Sequence, residues 1–215
     1  MRNVDPVNDI PIKELTIEAQ KQRIKSFATK PRSAITQAKC GQLTRMLDTG
    51  GVMGLPDKKL LALLTEVADQ ILIDEISPFA VCRKGCGACC KLPVHVSSVE
   101  AKLIASYSGR TMKKLKKTKL IPDKVLQDDY CPFFDTSSKV CSIYEIKSLS
   151  CRLYSSLDHY EYCGGIEEHT QTTLQVTSPV NHGYVVLSLR LAEREKQNKG
   201  AAAGDIRYWF PEMKK

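Results

Sequence analysis

The chain has 215 residues, of which 42% are hydrophobic, 26% charged and 7% aromatic, and its Lys and Arg outnumber Asp and Glu by 32 to 24. These proportions are those of an ordinary globular protein and exclude wholesale disorder or a fibrous repeat. No window approaches the ~18 uninterrupted apolar residues of a membrane-spanning helix. The first fifteen residues, with Asp5, Asp9, Lys13 and Glu14, hold no apolar secretory stretch, so a soluble, cytoplasmic chain is expected.

The first eighty residues read as helical. Ile12, Leu15, Ala19, Ile24 and Phe27 alternate with polar residues and predict a helix over 12–27 that Pro31 ends. The glycines between Asp48 and Gly54 mark a loop. Pro56 suits a first helical position, with Asp57 next in the first turn. Leu60, Leu64, Val67 and Ile71 then recur at i, i+4, i+7 and i+11, widened by Leu61, Ala68 and Leu72. They predict a core helix that Ser77-Pro78 stops. Further on, Ser97-Ser-Val-Glu100 is a capping-box signature, with Val99, Leu103 and Tyr107 at helical spacing behind it.

Mixed short elements are expected from Asp128 to Cys163. Thr172 to Thr177 alternates like a short strand. Ser178-Pro179 opens a second amphipathic pattern of Val180, Tyr184, Leu187 and Leu191, closed by Lys199-Gly200. The last segment, Asp205 to Pro211, holds the only Trp and is expected to pack back as an apolar anchor.

The nine cysteines are the most informative residues. Eight lie between Cys82 and Cys163. Cys82, Cys86, Cys89 and Cys90 form a dense block whose Gly85 and Gly87 permit a tight, loop-like turn. Several thiolates converging at about 2.3 Å on one metal need such a turn. Arg83, Lys84 and Lys91 favour the ionised thiol. Cys89 and Cys90, joined by one peptide bond, are expected to point apart. Cys131, Cys141, Cys151 and Cys163 are dispersed, nine, nine and eleven residues apart, and complete a pool of eight thiols. A disulfide framework fits poorly with an odd count and no export signal. Lone Cys40 reads as a small buried apolar residue, a use also open to Cys163.

The ordered combination Cys86-Gly-Ala-Cys89-Cys90, Cys131-Pro132, Cys141-Ser-Ile-Tyr144-Glu145 and Cys151-Arg152 resembles the YkgJ-type cysteine-cluster family, also called CxxCxxCC. The likeness spans roughly residues 80 to 165. It implies a zinc- or iron-chelating domain, with Cys82, Cys86, Cys89, Cys90, Cys131, Cys141, Cys151 and Cys163 as the ligand pool. The chain departs from the family pattern in two places. Three residues separate Cys82 from Cys86, and Lys147-Ser148 stands where the family has Arg-Pro. Both zinc and an iron–sulfur cluster accept all-thiolate ligation. A similar signature in the flagellin lysine methylases, associated with an iron–sulfur cluster, favours the cluster and suggests redox or protein-modifying chemistry. His95 and His159 are the histidines nearest the cysteines in sequence.

Arg110, Lys113, Lys114, Lys116, Lys117 and Lys119 put six positive charges into ten residues. The stretch reads as a solvated helix face with Met112 and Leu115 inward, or as a contact for nucleic acid or an acidic protein in a zinc-stapled adaptor. No phosphate-binding, zinc-protease or serine-hydrolase motif is present. Glu145 and Arg152 are expected to steady the fold through an ion pair. The sequence thus predicts a mainly α fold, or α+β with few short strands, in which helices flank a small metal-stapled core. Its expected divisions are a helical extension over 1–78, a cysteine domain over 79–165 and a strand–helix extension over 166–215.

Overall fold

The computed structural model describes residues 17–31, 33–52, 54–82, 85–119, 121, 129–157, 171–172, 186, 188–193 and 203–211. The fold is mainly α with a few short strands. Among the described residues no helix is long and apolar enough to cross a membrane.

Three helices build the N-terminal half: α1 (Ile17–Thr29), α2 (Ala34–Asp48) and α3 (Asp57–Ile71). In α1, Ile24 and Phe27 are half-buried, whereas Ala19 is exposed and so lies off the expected apolar face. Ser33 caps α2 by accepting from Thr36 N. The Ser33 hydroxyl also donates to Asp74 Oδ2 at 2.6 Å, tying the start of α2 to the end of the third helix. Pro56 sits one position outside α3, at its cap, where a residue lacking N–H forfeits no helical bond. Leu60, Leu61, Leu64, Val67, Ala68 and Ile71 are all buried, as their spacing predicts. The helix runs on through one wide π turn, Leu72–Ile76, and ends at Ser77. Together with Cys40, Leu43, Val52 and Leu153 these side chains form the first of two hydrophobic clusters.

The second half has shorter pieces. Strand β1 (His95–Ser97) leads into α4 (Ser98–Ser108) through the expected capping box of Ser97 and Glu100. Glu100 does more than cap its own helix. Its Oε2 accepts from Ser97 N at 2.9 Å, and its Oε1 from Leu149 N at 2.8 Å at the start of α5 (Leu149–Leu153). One half-hidden carboxylate therefore serves two helix starts. Val99 and Leu103 pack toward the first cluster, but Tyr107 is 54% exposed. Gly109, at φ 68°, closes α4 in a left-handed conformation that suits glycine.

Among the described residues, three two-stranded antiparallel pairs accompany the helices. A hairpin joins β2 (Phe134–Asp135) to β3 (Val140–Cys141), with Phe134 opposite Cys141. Strand β4 (Ser155–Ser156) pairs with β5 (Gln171–Thr172). Strand β1 pairs with β6 (Ala203–Asp205), which brings His95 opposite Asp205 from far along the chain. The short helix α6 (Ile206–Trp209) follows, and Ile206, Trp209 and Phe210 enter the second cluster beside Val94, Val96, Ile104, Leu115, Phe133 and Ile143. Trp209 is thus the anchor its composition suggests, and its indole N–H donates to Val96 O at 3.0 Å. Residues 188–193 are helical. The rest of the predicted 172–177 strand and 178–200 helix lies outside the described residues.

The basic stretch 110–119 is not helical. It is irregular, with a bend at Lys116–Lys117, and lies beside the C-terminal segment, Lys113 N donating to Trp209 O, Lys119 N to Ala203 O and Asp205 N to Lys119 O. Leu115 is buried and Met112 half-buried, so these two do face inward. Backbone pairing to β6 outweighs the helical preference of lysine and leucine here.

Candidate metal centre

The dense cysteine block is a tight turn whose second half, Ala88–Lys91, is a 3-10 helix. Gly85 has φ 89°, a conformation glycine adopts without strain. Gly87 is required for a different reason. A Cβ there would run into the ring of Phe134, which lies directly on the loop. Phe134 in turn stacks on Tyr130, with ring centroids 5.5 Å apart.

The dispersed cysteines are carried to this turn by different elements. Cys131 N donates to Cys90 O at 2.7 Å, a direct backbone link between the two blocks. Cys141 ends the hairpin opposite Phe134. Cys151 lies in α5, where its N–H donates to the Ser148 cap. Cys82 is fastened from the other side, its sulfur accepting from Ser156 N at 3.3 Å. No disulfide joins any two of the eight described cysteines.

The thiols sense one another. Cys90 feels Cys89, Cys131 and Cys151; Cys151 feels Cys131 and Cys89; Cys141 feels Cys89; and Cys82 feels Cys89 and Cys86. Seven of the eight predicted ligands thus form one electrostatic group. Cys163 and His159 lie outside the described residues. Cys40 is separate, 1% exposed in the first cluster, as expected of a core residue. His95 is exposed on β1. Among the described residues, no three His, Cys, Asp or Glu side chains already converge as a metal site.

Burial governs the acidity of most of these groups. It pushes the Cys131 and Cys151 thiols up to about 12, with neighbouring sulfurs adding to the effect. Burial also raises Cys82 and Cys141. Against this, backbone N–H groups aim at three sulfurs: Ser156 at Cys82, Phe133 at Cys131 and Ile143 at Cys141. Such bonds favour the thiolate. The expectation that Cys89 and Cys90 point apart is overturned, because their side chains hydrogen-bond to each other. Successive side chains point to opposite faces of an extended strand but are only about 120° apart round a 3-10 turn, so neighbours can meet. Within this pair the shared proton makes Cys89 the easier to ionise and Cys90 the harder. Lys147, the residue standing in for the family's Arg, is the cation that acts on Cys89, Cys141 and Cys151.

Residues 81–176 match the CxxCxxCC family, described as "Putative zinc- or iron-chelating domain". Comparison with curated proteins and with solved structures gave no match. The thiols of the matched segment suit that description: backbone N–H groups are directed at Cys82, Cys131 and Cys141, and Lys147 and Arg207 supply positive charge beside them.

Two arginines hold the domain together. Arg152 donates to Asp69 Oδ1 at 2.6 Å and to the carbonyls of Lys147 and Glu145. Arg152 thus pairs with Asp69 of α3 instead of the expected Glu145, which contributes its backbone carbonyl and not its exposed carboxylate. Sequence reasoning missed the second. Arg207 donates to Cys90 O, Leu92 O and Asp129 O, and pairs with Asp205 at 3.2 Å. Asp205, 0% exposed, also accepts from Val94 N and caps α6 through Arg207 N. The C-terminal segment thereby clasps the end of the dense cysteine turn, at Cys90, Leu92 and Val94. The only available signal was Asp205-Ile-Arg207 beside an aromatic run, with nothing to indicate its partner more than 110 residues away.

Proposed function

We propose that residues 81–176 form a CxxCxxCC domain that binds metal through thiolates drawn from Cys82, Cys86, Cys89, Cys90, Cys131, Cys141, Cys151 and Cys163, and that the bound group is an iron–sulfur cluster. The observation that supports this reading is that thiols from stretches far apart in sequence lie near enough to bias one another's ionisation, with Cys131 N bonded directly to Cys90 O. Seven such thiols exceed the four that a closed zinc site takes, and no histidine joins them among the described residues. Binding would displace protons from thiols that burial keeps neutral. A cluster supplies electron-transfer or redox-dependent protein-modifying chemistry, whereas a zinc closed by four thiolates acts as a structural staple.

The proposal includes the division of the chain into a helical extension (1–78), a cysteine domain (79–165) and a C-terminal extension (166–215) that clasps it. It also places the protein in a reducing compartment, the cytoplasm, where ligand thiols persist. Purification without oxygen, followed by visible spectroscopy and assay of iron, acid-labile sulfide and zinc per chain, tests it. Brown protein with matched iron and sulfide supports the cluster. Colourless protein carrying zinc replaces the cluster with a staple. Protein that takes up neither metal sinks the reading.

A further inference from the structure

The basic stretch 110–119 is not used by the metal centre, and its structure differs from a solvated helix face. Its backbone is fixed at several points. Arg110 donates to Pro132 O at 2.7 Å and lies over the Phe133 ring at 4.7 Å. Lys113 N is bonded to Trp209 O, and Leu115 is buried against Gly204. Lys119 pairs its backbone with Ala203 and Asp205 and sets its ammonium 3.8 Å from the Tyr208 ring centroid. Between these pins, Lys113, Lys114, Lys116 and Lys117 are exposed. No hydrogen bond or ion pair engages their side chains among the described residues.

Four like charges held on a backbone pinned at Lys113 and Lys119 repel one another and lower the stability of the surface. A polyanion relieves that repulsion, and the ordered backbone lessens what must be immobilised on binding. The composition of the surface selects among polyanions. Protein–protein interfaces are centred on aromatic, Met and Arg anchors and are depleted in Lys. Here the apolar members, Met112 and Leu115, face inward and Arg110 is committed to Phe133, so only ammonium groups are presented. Point charges on flexible stems fit phosphates of variable spacing. No aromatic lies within the stretch to stack on bases.

We propose that Lys113, Lys114, Lys116 and Lys117 form a binding strip for the phosphate backbone of nucleic acid, without sequence preference. This inference is independent of which metal, if any, the thiols hold.

The test titrates the full-length protein, as isolated, with a mixed-sequence 20-nucleotide single strand and with the corresponding duplex, over a range of salt. Four phosphate contacts predict that affinity falls about 50-fold for the single strand and about 150-fold for the duplex between 50 and 200 mM salt. In the combined variant K113Q/K114Q/K116Q/K117Q, whose side chains are exposed, affinity at 50 mM salt falls at least tenfold and most of the salt dependence disappears. Unchanged circular dichroism and metal content would show that this variant is folded. A second variant, K102Q, removes an exposed lysine on α4 and leaves binding intact. The proposal is overturned by three results: no binding at 50 mM salt, equal binding by the fourfold variant, or equally effective competition by polyglutamate, which would point to an acidic protein partner.

Discussion

The first cluster is made by helices whose buried faces are almost wholly apolar, with Leu60, Leu64 and Ile71 recurring along α3. The cysteine half has strands of two or three residues, short helices apart from the eleven-residue α4, and a core that mixes Phe133, Trp209 and Phe210 with Cys131. Its pieces are joined by polar side chains reaching across the chain: Glu100 to Leu149, Arg152 to Asp69, and Arg207 to the cysteine turn. Burial of regular helices is enough to fix the first region. In the second, secondary structure is too short to stand alone, so long-range hydrogen bonds and, on the present reading, metal ligation supply the missing order.

The largest expected effect of that contrast follows metal removal. Chelation of the loaded protein should raise amide hydrogen exchange across residues 88–157 and 203–211 while residues 34–76 stay protected. Uniform loss of protection would show that the two regions stand or fall together. Next, Arg207→Ala leaves Asp205 buried without its cation and is expected to cost about 3–5 kcal/mol, with loss of metal retention measured alongside chemical denaturation. Leu64→Ala should cost about 2–5 kcal/mol but leave metal content per folded chain unchanged. If both variants lose metal equally, the division between the regions is wrong.

The smallest expected effect is in alkali. Burial raises the Cys131 thiol from 9.0 to about 12, so over that interval the unfolded chain has lost a proton that the folded chain keeps. The metal-free protein therefore has its full contribution from this group below pH 9 and loses it progressively above, by up to ~1.4 kcal/mol per pH unit for each such thiol. The loaded protein has the opposite sensitivity, since acid returns protons to the ligands and releases metal. Denaturation midpoints of both forms at pH 7, 9 and 10 would show the difference.

What the sequence revealed divides along the same line. The buried face of α3 was legible because one periodic pattern decides it, and the capping box of α4 because its two members are three residues apart. The cysteine membership was legible from residue type and order. The shape of their meeting was not. The contact between Cys89 and Cys90 depends on a 3-10 turn, and the ring of Phe134 against Gly87 on a hairpin closing far away. The non-helical course of 110–119 ends in the pairing of Lys119 with Ala203 and Asp205, a long-range choice that overrides local helix preference. Tyr107 has helical spacing but sits in the last turn of α4, beyond the cover of the core.

The most direct test of the account is alkylation of the cysteines with and without metal, read residue by residue by mass spectrometry under anaerobic conditions. Loading with the metal found in the isolated protein is predicted to protect Cys89, Cys90, Cys131, Cys141 and Cys151 together, with Cys82, Cys86 and Cys163 resolving which others are ligands. Cys40 should be slow to react in both states. Equal labelling of these thiols with and without metal would contradict the claim that they gather round one centre.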